Sequence, residues 1–380
     1  MVNWLAIRSH FPGVSHTCYL NAASLGLVPD VSIKALECFI RQRSLGSMLW
    51  LEWYSAVDDI RRLVSKLIGS KPEEIAFVQN TSMGLNLIAN SIRWGKGENI
   101  VTTDLEFPTN LFPWQVIAKK YGLEIRYVRN IDGALRREDF ERAVDEKTRV
   151  IAVSWVEFGN GFVNDLEFLS KLARENDALL VVDGIQGAGA LRIDVRNIGV
   201  DVFVSGFQKW LLGIGSAFLY VRADLLDELE ISFAGWLSDK DSHSFEFREY
   251  SPSPNAKRFE LGSPSFADAI VARESLRFIQ NVGIENIEKR DLDLISYLRK
   301  RLSEYDDIKF MTPKDNPSPI LTFRFRSQDT KAVFEYLLEK NIYVSYRLGG
   351  IRVSPHFYNN RSDIDTLLDA IEEYLRKRRT

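Results

Sequence analysis

The sequence contains few of the residues that cross-link small proteins or bind metals. Its 380 residues include two cysteines, Cys18 and Cys38, and four histidines that lie far apart. Neither a disulfide framework nor a metal site is therefore predicted. No apolar run approaches the roughly 18 residues that a membrane-spanning helix needs, and residues 1–11 lack the apolar stretch of a signal peptide. We expect a cytoplasmic protein with no membrane partner.

An excess of charge of one sign is also missing. The 49 basic and 52 acidic residues give a formal net charge of -3, so no nucleic-acid partner is expected. The glycine-rich strings G-x-G-x-x-G and G-x-x-x-x-G-K-[ST] do not occur, which argues against a dinucleotide or a nucleoside triphosphate as ligand. Hydrophobic residues make up 45% of the chain, as in folded globular proteins.

The chain does contain short apolar runs that alternate with helix-length amphipathic segments. This pattern is typical of an α/β sheet that is buried on both faces. Helical spacing predicts crossover helices over 83–94 and 165–176. The sequence therefore predicts a mostly parallel seven-stranded sheet, with strands over 75–78, 99–102, 124–128, 149–154, 178–183, 201–205 and 216–221.

A second domain is indicated by the length of the chain and by a change of pattern. Residues 232–264 are rich in Gly, Ser, Pro and Asp, as in a long irregular connection or lid. Beyond them, helical patterns at 266–280, 284–305, 329–340 and 362–377 bracket apolar runs at 320–325, 342–346 and 351–354. We predict a large domain over 20–255 and a small α+β domain formed by 1–19 and 256–380.

Polar or aromatic residues follow several of the predicted strands, where parallel sheets bind ligands. Thr81 and Ser82 precede a helix whose N-terminal amides favour phosphate, although they could merely cap that helix. Phe107 could stack on a planar ligand or belong to the core. Asp183 ends an apolar strand and needs a cationic partner if it is buried. Lys209 lies on an aromatic-rich turn that should lower its pKa, although a lone lysine is usually a surface charge.

Together, a phosphate site, a stacking ring, an acid and an amine are the partners that pyridoxal phosphate requires. The motifs also resemble those of class V aminotransferases, which are fold-type-I pyridoxal-phosphate enzymes that include cysteine desulfurases and isopenicillin N epimerase-like proteins. The resemblance spans nearly the whole chain and rests on Tyr19-Leu-Asn-Ala-Ala-Ser24, V-V-D-G-I-Q at 181–186, S-G-F-Q-K-W-L at 205–211 and R-V-S-P-H-F-Y-N at 352–359.

The resemblance implies a role for individual residues. Lys209 would hold the cofactor as a Schiff base, and Asp183 would pair with the pyridine nitrogen. Arg352 would bind the substrate α-carboxylate, with Arg347 as second choice. The remaining implied contacts are Thr81, Ser82, Phe107, Gln186, Ser205 and Gln208 for the cofactor, Asn21 and Ala22 for the substrate, and Ser263, which would reach the neighbouring active site of a homodimer.

Several positions depart from the family pattern. Gln208 stands where many relatives have a histidine, and Phe107 stands where desulfurases carry a stacking histidine. Phe158 replaces an asparagine near the cofactor hydroxyl, which leaves Glu157 or Asn160 as substitutes. Ser205 lies one residue further from Lys209 than the usual phosphate serine does, so its role is open.

The shared motifs do not separate the reactions of the family. The first choice is an aminotransferase acting on an amino acid. The alternative is a C–S or β-eliminating lyase or an amino-acid epimerase. A third hypothesis, from a different functional class, is a cofactor-binding protein that is catalytically silent. Sulfur-transferring relatives carry a cysteine between the motifs that match Arg347 and Arg352, where this chain has only 348–351. We therefore predict no protein-bound persulfide.

Overall fold

The protein is described by a computed structural model over residues 2–246 and 248–377. In this part of the chain the strands are β1 (Cys18–Tyr19), β2 (Ile75–Val78), β3 (Asn99–Thr103), β4 (Glu124–Val128), β5 (Thr148–Ser154), β6 (Leu179–Asp183), β7 (Val202–Gly206), β8 (Ala217–Val221), β9 (Ile308–Phe310), β10 (Leu321–Phe325), β11 (Ile342–Tyr343), β12 (Ser345–Arg347) and β13 (Gly350–Val353). The helices are α1 (Trp4–Arg8), α2 (Asp30–Arg43), α3 (Trp50–Ile68), α4 (Thr81–Ser91), α5 (Phe112–Tyr121), α6 (Arg137–Ala143), α7 (Leu166–Glu175), α8 (Val195–Ile198), α9 (Phe266–Val282), α10 (Ile284–Leu302), α11 (Thr330–Glu339) and α12 (Arg361–Lys377).

The large sheet has seven strands in the order β2-β8-β7-β6-β5-β3-β4. Strand β8 runs antiparallel to β2 and β7, and the other pairs are parallel. The predicted seven-stranded, mostly parallel α/β sheet is therefore confirmed. Its strands read as continuous apolar runs because both faces are covered: Val181 faces one core and Val182 faces the other.

The second sheet is antiparallel, in the order β12-β13-β10-β9. Helices α10, α11 and α12 contribute Leu298, Leu337 and Leu367 to the core that it shares with Phe323. The predicted run 342–346 is divided, since β11 pairs in parallel with β1 while β12 joins the sheet. Strand β9 was not expected from the sequence.

The segment between β8 and α9 is irregular, as predicted, and its helical turns are the short 3-10 turns Ala223–Asp227, Trp236–Ser238 and Ala256–Phe259. Helix α9 packs against α2 and α3, with the Ser275 and Ser32 hydroxyls 2.8 Å apart. The domain boundaries given above stay a prediction. None of the helices described is long and apolar enough to cross a membrane.

Candidate active site

Asp183 and Lys209 meet at the carboxyl ends of neighbouring strands. Asp183 is the last residue of β6, and Lys209 lies on the turn that follows β7. Burial lowers the pKa of Lys209 to about 8, against the opposing effect of the Asp183 charge. Burial raises the pKa of Asp183 to about 6, against a 3.0 Å hydrogen bond from the Ile185 amide and the Lys209 charge. The edge of the sheet thus holds an acid and an amine that is partly uncharged near neutral pH.

The N-terminus of α4 supplies hydroxyl groups suited to a phosphate. The helix is capped by Asn80, whose side chain accepts a 2.8 Å hydrogen bond from the Met83 amide. Thr81 and Ser82 are therefore not needed as caps. The Ser82 and Thr109 hydroxyls lie 2.9 Å apart, and the buried Thr81 Oγ1 has no hydrogen-bond partner among the described residues. An unpaired buried hydroxyl at a helix N-terminus fits an anion.

Phe107 presents an aromatic ring beside the amine. Its side chain is 43% exposed, and the Lys209 Nζ lies 5.9 Å from the ring centroid. The ring meets Phe158 edge to face, with centroids 5.1 Å apart. Phe107 is therefore free to stack on a planar group held at Lys209.

The two glutamines beside the lysine differ in their contacts. Gln186 is buried, donates from Nε2 to the Ala23 carbonyl at 3.0 Å and accepts from Trp210 Nε1 at 2.9 Å. One Nε2 hydrogen remains for a ligand. Gln208 has a buried Oε1 that lacks a hydrogen-bond partner in the described part of the chain. Ser205 is fully buried in β7, with its Oγ 3.4 Å from the Gly206 carbonyl, and its contact with the cofactor stays a prediction.

Arg352 is a buried cation whose hydrogen-bond partners are neutral groups. Its side chain is only 2% exposed, and it donates 2.8 Å hydrogen bonds to the Phe158 carbonyl and to Ser24 Oγ. Its Nε has no partner, and it forms no ion pair with any described carboxylate. Burial, followed by the charge of Arg347, lowers its pKa to about 9. Because an uncompensated buried charge is costly, this guanidinium is suited to an anionic ligand.

A single hairpin, formed by β12 and β13, carries both arginines. Arg347 pairs with Gly350 and Ser345 pairs with Arg352, so both arginine side chains lie on one face. The turn is centred on Leu348 and Gly349, both at positive φ. Arg347 is exposed and donates to the Tyr346 carbonyl at 2.8 Å.

The N-terminal segment lies beside Arg352. Asn21 accepts a 2.8 Å hydrogen bond from the Ser345 hydroxyl, and the Ala22 amide donates to the Ser354 carbonyl at 3.0 Å. Ala22 is fully buried, so only Asn21 has a side chain at the surface of the site. Ser24 and Ser345, which contact the guanidinium, were not among the residues expected from the sequence.

Two buried glutamates, Glu106 and Glu157, lie near Asp183. The sequence did not predict that they would lie together. Glu106 accepts hydrogen bonds from the Ser154 amide and hydroxyl, both at 2.6 Å, and burial raises its pKa to about 8. Burial and the Glu106 charge raise the pKa of Glu157 well above its usual value. The Glu157 Oε2 has no partner among the described residues, whereas the Asn160 side chain bonds the Gly133 carbonyl and the Phe162 amide.

Ser263 is exposed and lies near the carboxyl end of β2. It lines a cavity of about 140 Å³ together with Gln79, Ser216 and Asp268. Lys209 is not among the residues that line this cavity, whereas Gln79 lies two residues before Thr81.

Comparison with known proteins agrees with this geometry. The model of the family Aminotransferase class-V matches residues 19–367. The chain belongs to this family. Class V enzymes of this kind depend on pyridoxal phosphate and have the fold-type-I architecture found here. The expected fold class and cofactor are confirmed at the level of the family.

Individual relatives are named for sulfur chemistry or for transamination. A probable cysteine desulfurase of Pyrococcus abyssi is 28% identical, with 98% of each chain covered. An uncharacterized aminotransferase, YcbU of Bacillus subtilis, is 27% identical over 96% of each chain. The apo cysteine desulfurase of Thermococcus onnurineus has a TM-score of 0.89 at 25% identity, with 99% of each chain covered. The cystine C–S lyase C-DES, at 22% identity and a TM-score of 0.88, shares the fold over 94% of this chain and 98% of its own.

Proposed function

We propose that this class V protein is a pyridoxal-phosphate-dependent lyase that removes a β-substituent, such as sulfur, from an amino acid. One observation carries the proposal: a lysine of lowered pKa, a buried acid and a buried arginine that pairs with no described carboxylate lie around the same sheet edge. These groups suit the amine, the ring nitrogen and the carboxylate of a cofactor–amino acid pair.

The residues present fit the cofactor. Lys209 would hold it covalently, Asp183 would face its ring nitrogen, and Phe107 would cover the ring. Thr81 and Ser82 would hold its phosphate, consistent with the unpaired Thr81 hydroxyl. When bound, pyridoxal phosphate supplies an electron sink for bonds broken at the substrate α-carbon.

The side chains then have separate tasks. Arg352 binds the α-carboxylate and so orients the substrate. Lys209, whose pKa of about 8 leaves part of the amine uncharged near neutral pH, accepts the α-proton at Nζ. Phe107 and Phe158 pack edge to face and place an apolar surface beside Lys209.

The names of several relatives favour carbon–sulfur cleavage over the aminotransferase reading. No cysteine stands between Arg347 and Arg352 to accept sulfur. Cys18 donates from Sγ to the Asp363 carbonyl at 3.1 Å, and burial raises its pKa to about 12. Cys38 is exposed on α2. The leaving group therefore departs directly as sulfide or another anion, without a protein persulfide.

Transamination is the second candidate because of the Bacillus subtilis relative. The two reactions are separated by incubating the purified holoprotein with a panel of amino acids that includes cysteine and cystine. Lysis of cysteine consumes one water and yields pyruvate, ammonia and sulfide in equal amounts. Transamination yields keto acid without ammonia and requires an added keto acid for continued turnover. Bound cofactor with no turnover on any amino acid would contradict both proposals and indicate a silent binding protein.

We also propose that the protein works as a homodimer in which Ser263 contacts the phosphate bound by the other subunit. Its exposure, and its place beside Gln79 near the N-terminus of α4, support this arrangement. Sedimentation would give the oligomeric state, and Ser263→Ala should weaken cofactor retention while leaving a dimer. Unchanged retention would remove Ser263 from the site.

A further inference from the structure

A buried histidine–aspartate pair contacts the backbone next to Lys209. His356 Nδ1 lies 2.7 Å from Asp291 Oδ2, and His356 Nε2 lies 3.0 Å from the carbonyl oxygen of Trp210. Both side chains are fully buried. The pair joins α10, the segment after β13 and the turn that carries the lysine, three stretches that are far apart in the chain.

The proton positions in this pair follow from its partners. A carbonyl oxygen only accepts, so His356 Nε2 must carry a hydrogen. Asp291 and Nδ1 then share one further proton, with Asp291 keeping the ring in the orientation that points Nε2 at Trp210. The Trp210 indole packs edge to face on the imidazole, with ring centroids 5.0 Å apart. The histidine is therefore held in one orientation by both neighbours.

Other contacts show how tightly this turn is held. The Gln208 carbonyl accepts from the Gly26 amide at 2.9 Å, and the Lys209 carbonyl accepts from the Leu212 amide at 3.1 Å. A Cβ on Gly26 would lie 2.0 Å from the Lys209 oxygen, so only glycine allows this approach. Leu212 has φ of 61°, a strained conformation that persists only where neighbours impose it. The carbonyl of the next residue, Trp210, accepts the hydrogen bond from His356 Nε2.

We propose that His356, oriented by Asp291, is a positioning residue that fixes the backbone of the Lys209 turn and thereby directs Nζ to the reacting carbon. The inference rests on the proposed role of Lys209. It assigns a task to two buried ionisable groups that the reaction itself does not use. A lost hydrogen bond of this kind should loosen the turn about tenfold.

Hydrogen exchange in the cofactor-free protein tests the proposal without relying on activity. The Leu212 amide donates to the Lys209 carbonyl and the Gly213 amide donates to the Phe207 carbonyl at 2.7 Å, so both report on the turn. His356→Leu should raise their exchange rates about tenfold. Asp291→Asn should remain within a few-fold of the parent, because the new amide donates to Nδ1 and keeps the hydrogen on Nε2.

Two controls separate positioning from general destabilisation. Leu298→Ala opens the core of the small sheet, so it should lower Tm without accelerating exchange at the turn. His10→Leu removes another His–Asp contact, 2.8 Å to Asp30, in a different part of the fold. In the holoenzyme, His356→Leu should lower kcat about tenfold with little change in KM, whereas neither control should do so.

If His356→Leu does not fold, Asp291→Ala replaces it, because an imidazole without its carboxylate is free to turn away. Exchange at Leu212 and Gly213 should then rise, and Asp291→Asn should restore it. Parental exchange in the variants, or Asp291→Asn behaving like the disruptive change, would overturn the inference. If the parent protein never attaches pyridoxal phosphate, the proposed function is refuted. The exchange measurement on the cofactor-free protein still tests the role of His356.

Discussion

Asp183 and Lys209 stabilise each other's charged form across the ends of β6 and β7, while burial opposes both charges. Desolvation is the larger effect on each group, so the pKa of the acid rises and that of the amine falls. A ligand that donates a hydrogen bond to Asp183 and reacts with the amine of Lys209 would relieve this conflict. A ligand with a cationic ring nitrogen and a carbonyl has those properties.

The amine should be reactive well below the usual pH for lysine. Only the uncharged amine attacks a carbonyl, so modification of Lys209 in the cofactor-free protein should rise with pH and reach its half-maximum near pH 8. Peptide mapping after labelling at several pH values measures this. A half-maximum near the ordinary value of 10.5 would show that the turn does not desolvate the amine.

Lys209→Ala should abolish covalent attachment of the cofactor, because no other amine is placed in this way beside Asp183 in the described structure. Borohydride treatment followed by mass spectrometry should find a reduced adduct on Lys209 in the parent and none in the variant. An adduct of equal yield on another lysine would refute the assignment.

Asp183→Asn should preserve the shape of the site and remove its negative charge. If the carboxylate holds a ring nitrogen protonated, turnover should fall by roughly a thousandfold or more. Steady-state kinetics on the identified substrate, with cofactor content measured in parallel, gives the answer. Activity within a few-fold of the parent would show that Asp183 has only a structural role.

Arg352→Lys should mainly raise KM. The charge is kept but the two-pronged donor is lost, so kcat/KM should fall by about 1.5 to 3 kcal/mol, or roughly ten- to a hundredfold. Pyridoxal-phosphate content should not change. Arg347→Lys is the matched control on the same hairpin face, where the exposed side chain predicts a smaller effect. If the Arg352 variant lost its cofactor, the proposal that Arg352 binds the substrate α-carboxylate would be wrong.

No persulfide should accumulate on the protein during turnover. The Cys18 thiol has a pKa of about 12, and Cys38 lies on the outer helix α2, so neither supplies a thiolate at the site. Alkylation and mass spectrometry under substrate saturation would detect such a species. A persulfide formed at the catalytic rate on either residue, and turnover lost in Cys18→Ala or Cys38→Ala, would contradict direct release.

The strands of the large sheet, and the residues that end them, could be predicted from the amino-acid sequence alone. Runs such as 178–183 are apolar throughout because both faces are covered, so composition alone identifies them, and Asp183 is visible as the polar residue that closes one. The hairpin between Arg347 and Arg352 is likewise a local feature, since a short turn joins its two strands.

The contacts between residues far apart in the chain became visible only in the folded protein. Ser24 and Ser345 reach the guanidinium of Arg352, and Asp291 reaches His356, from parts of the chain that no local pattern links. The division of 342–346 into β11 and β12 likewise follows from pairing with β1, more than 300 residues away. Hydrophobic periodicity reports which face of an element is buried, whereas the partner on that face is set by the packing of the whole chain.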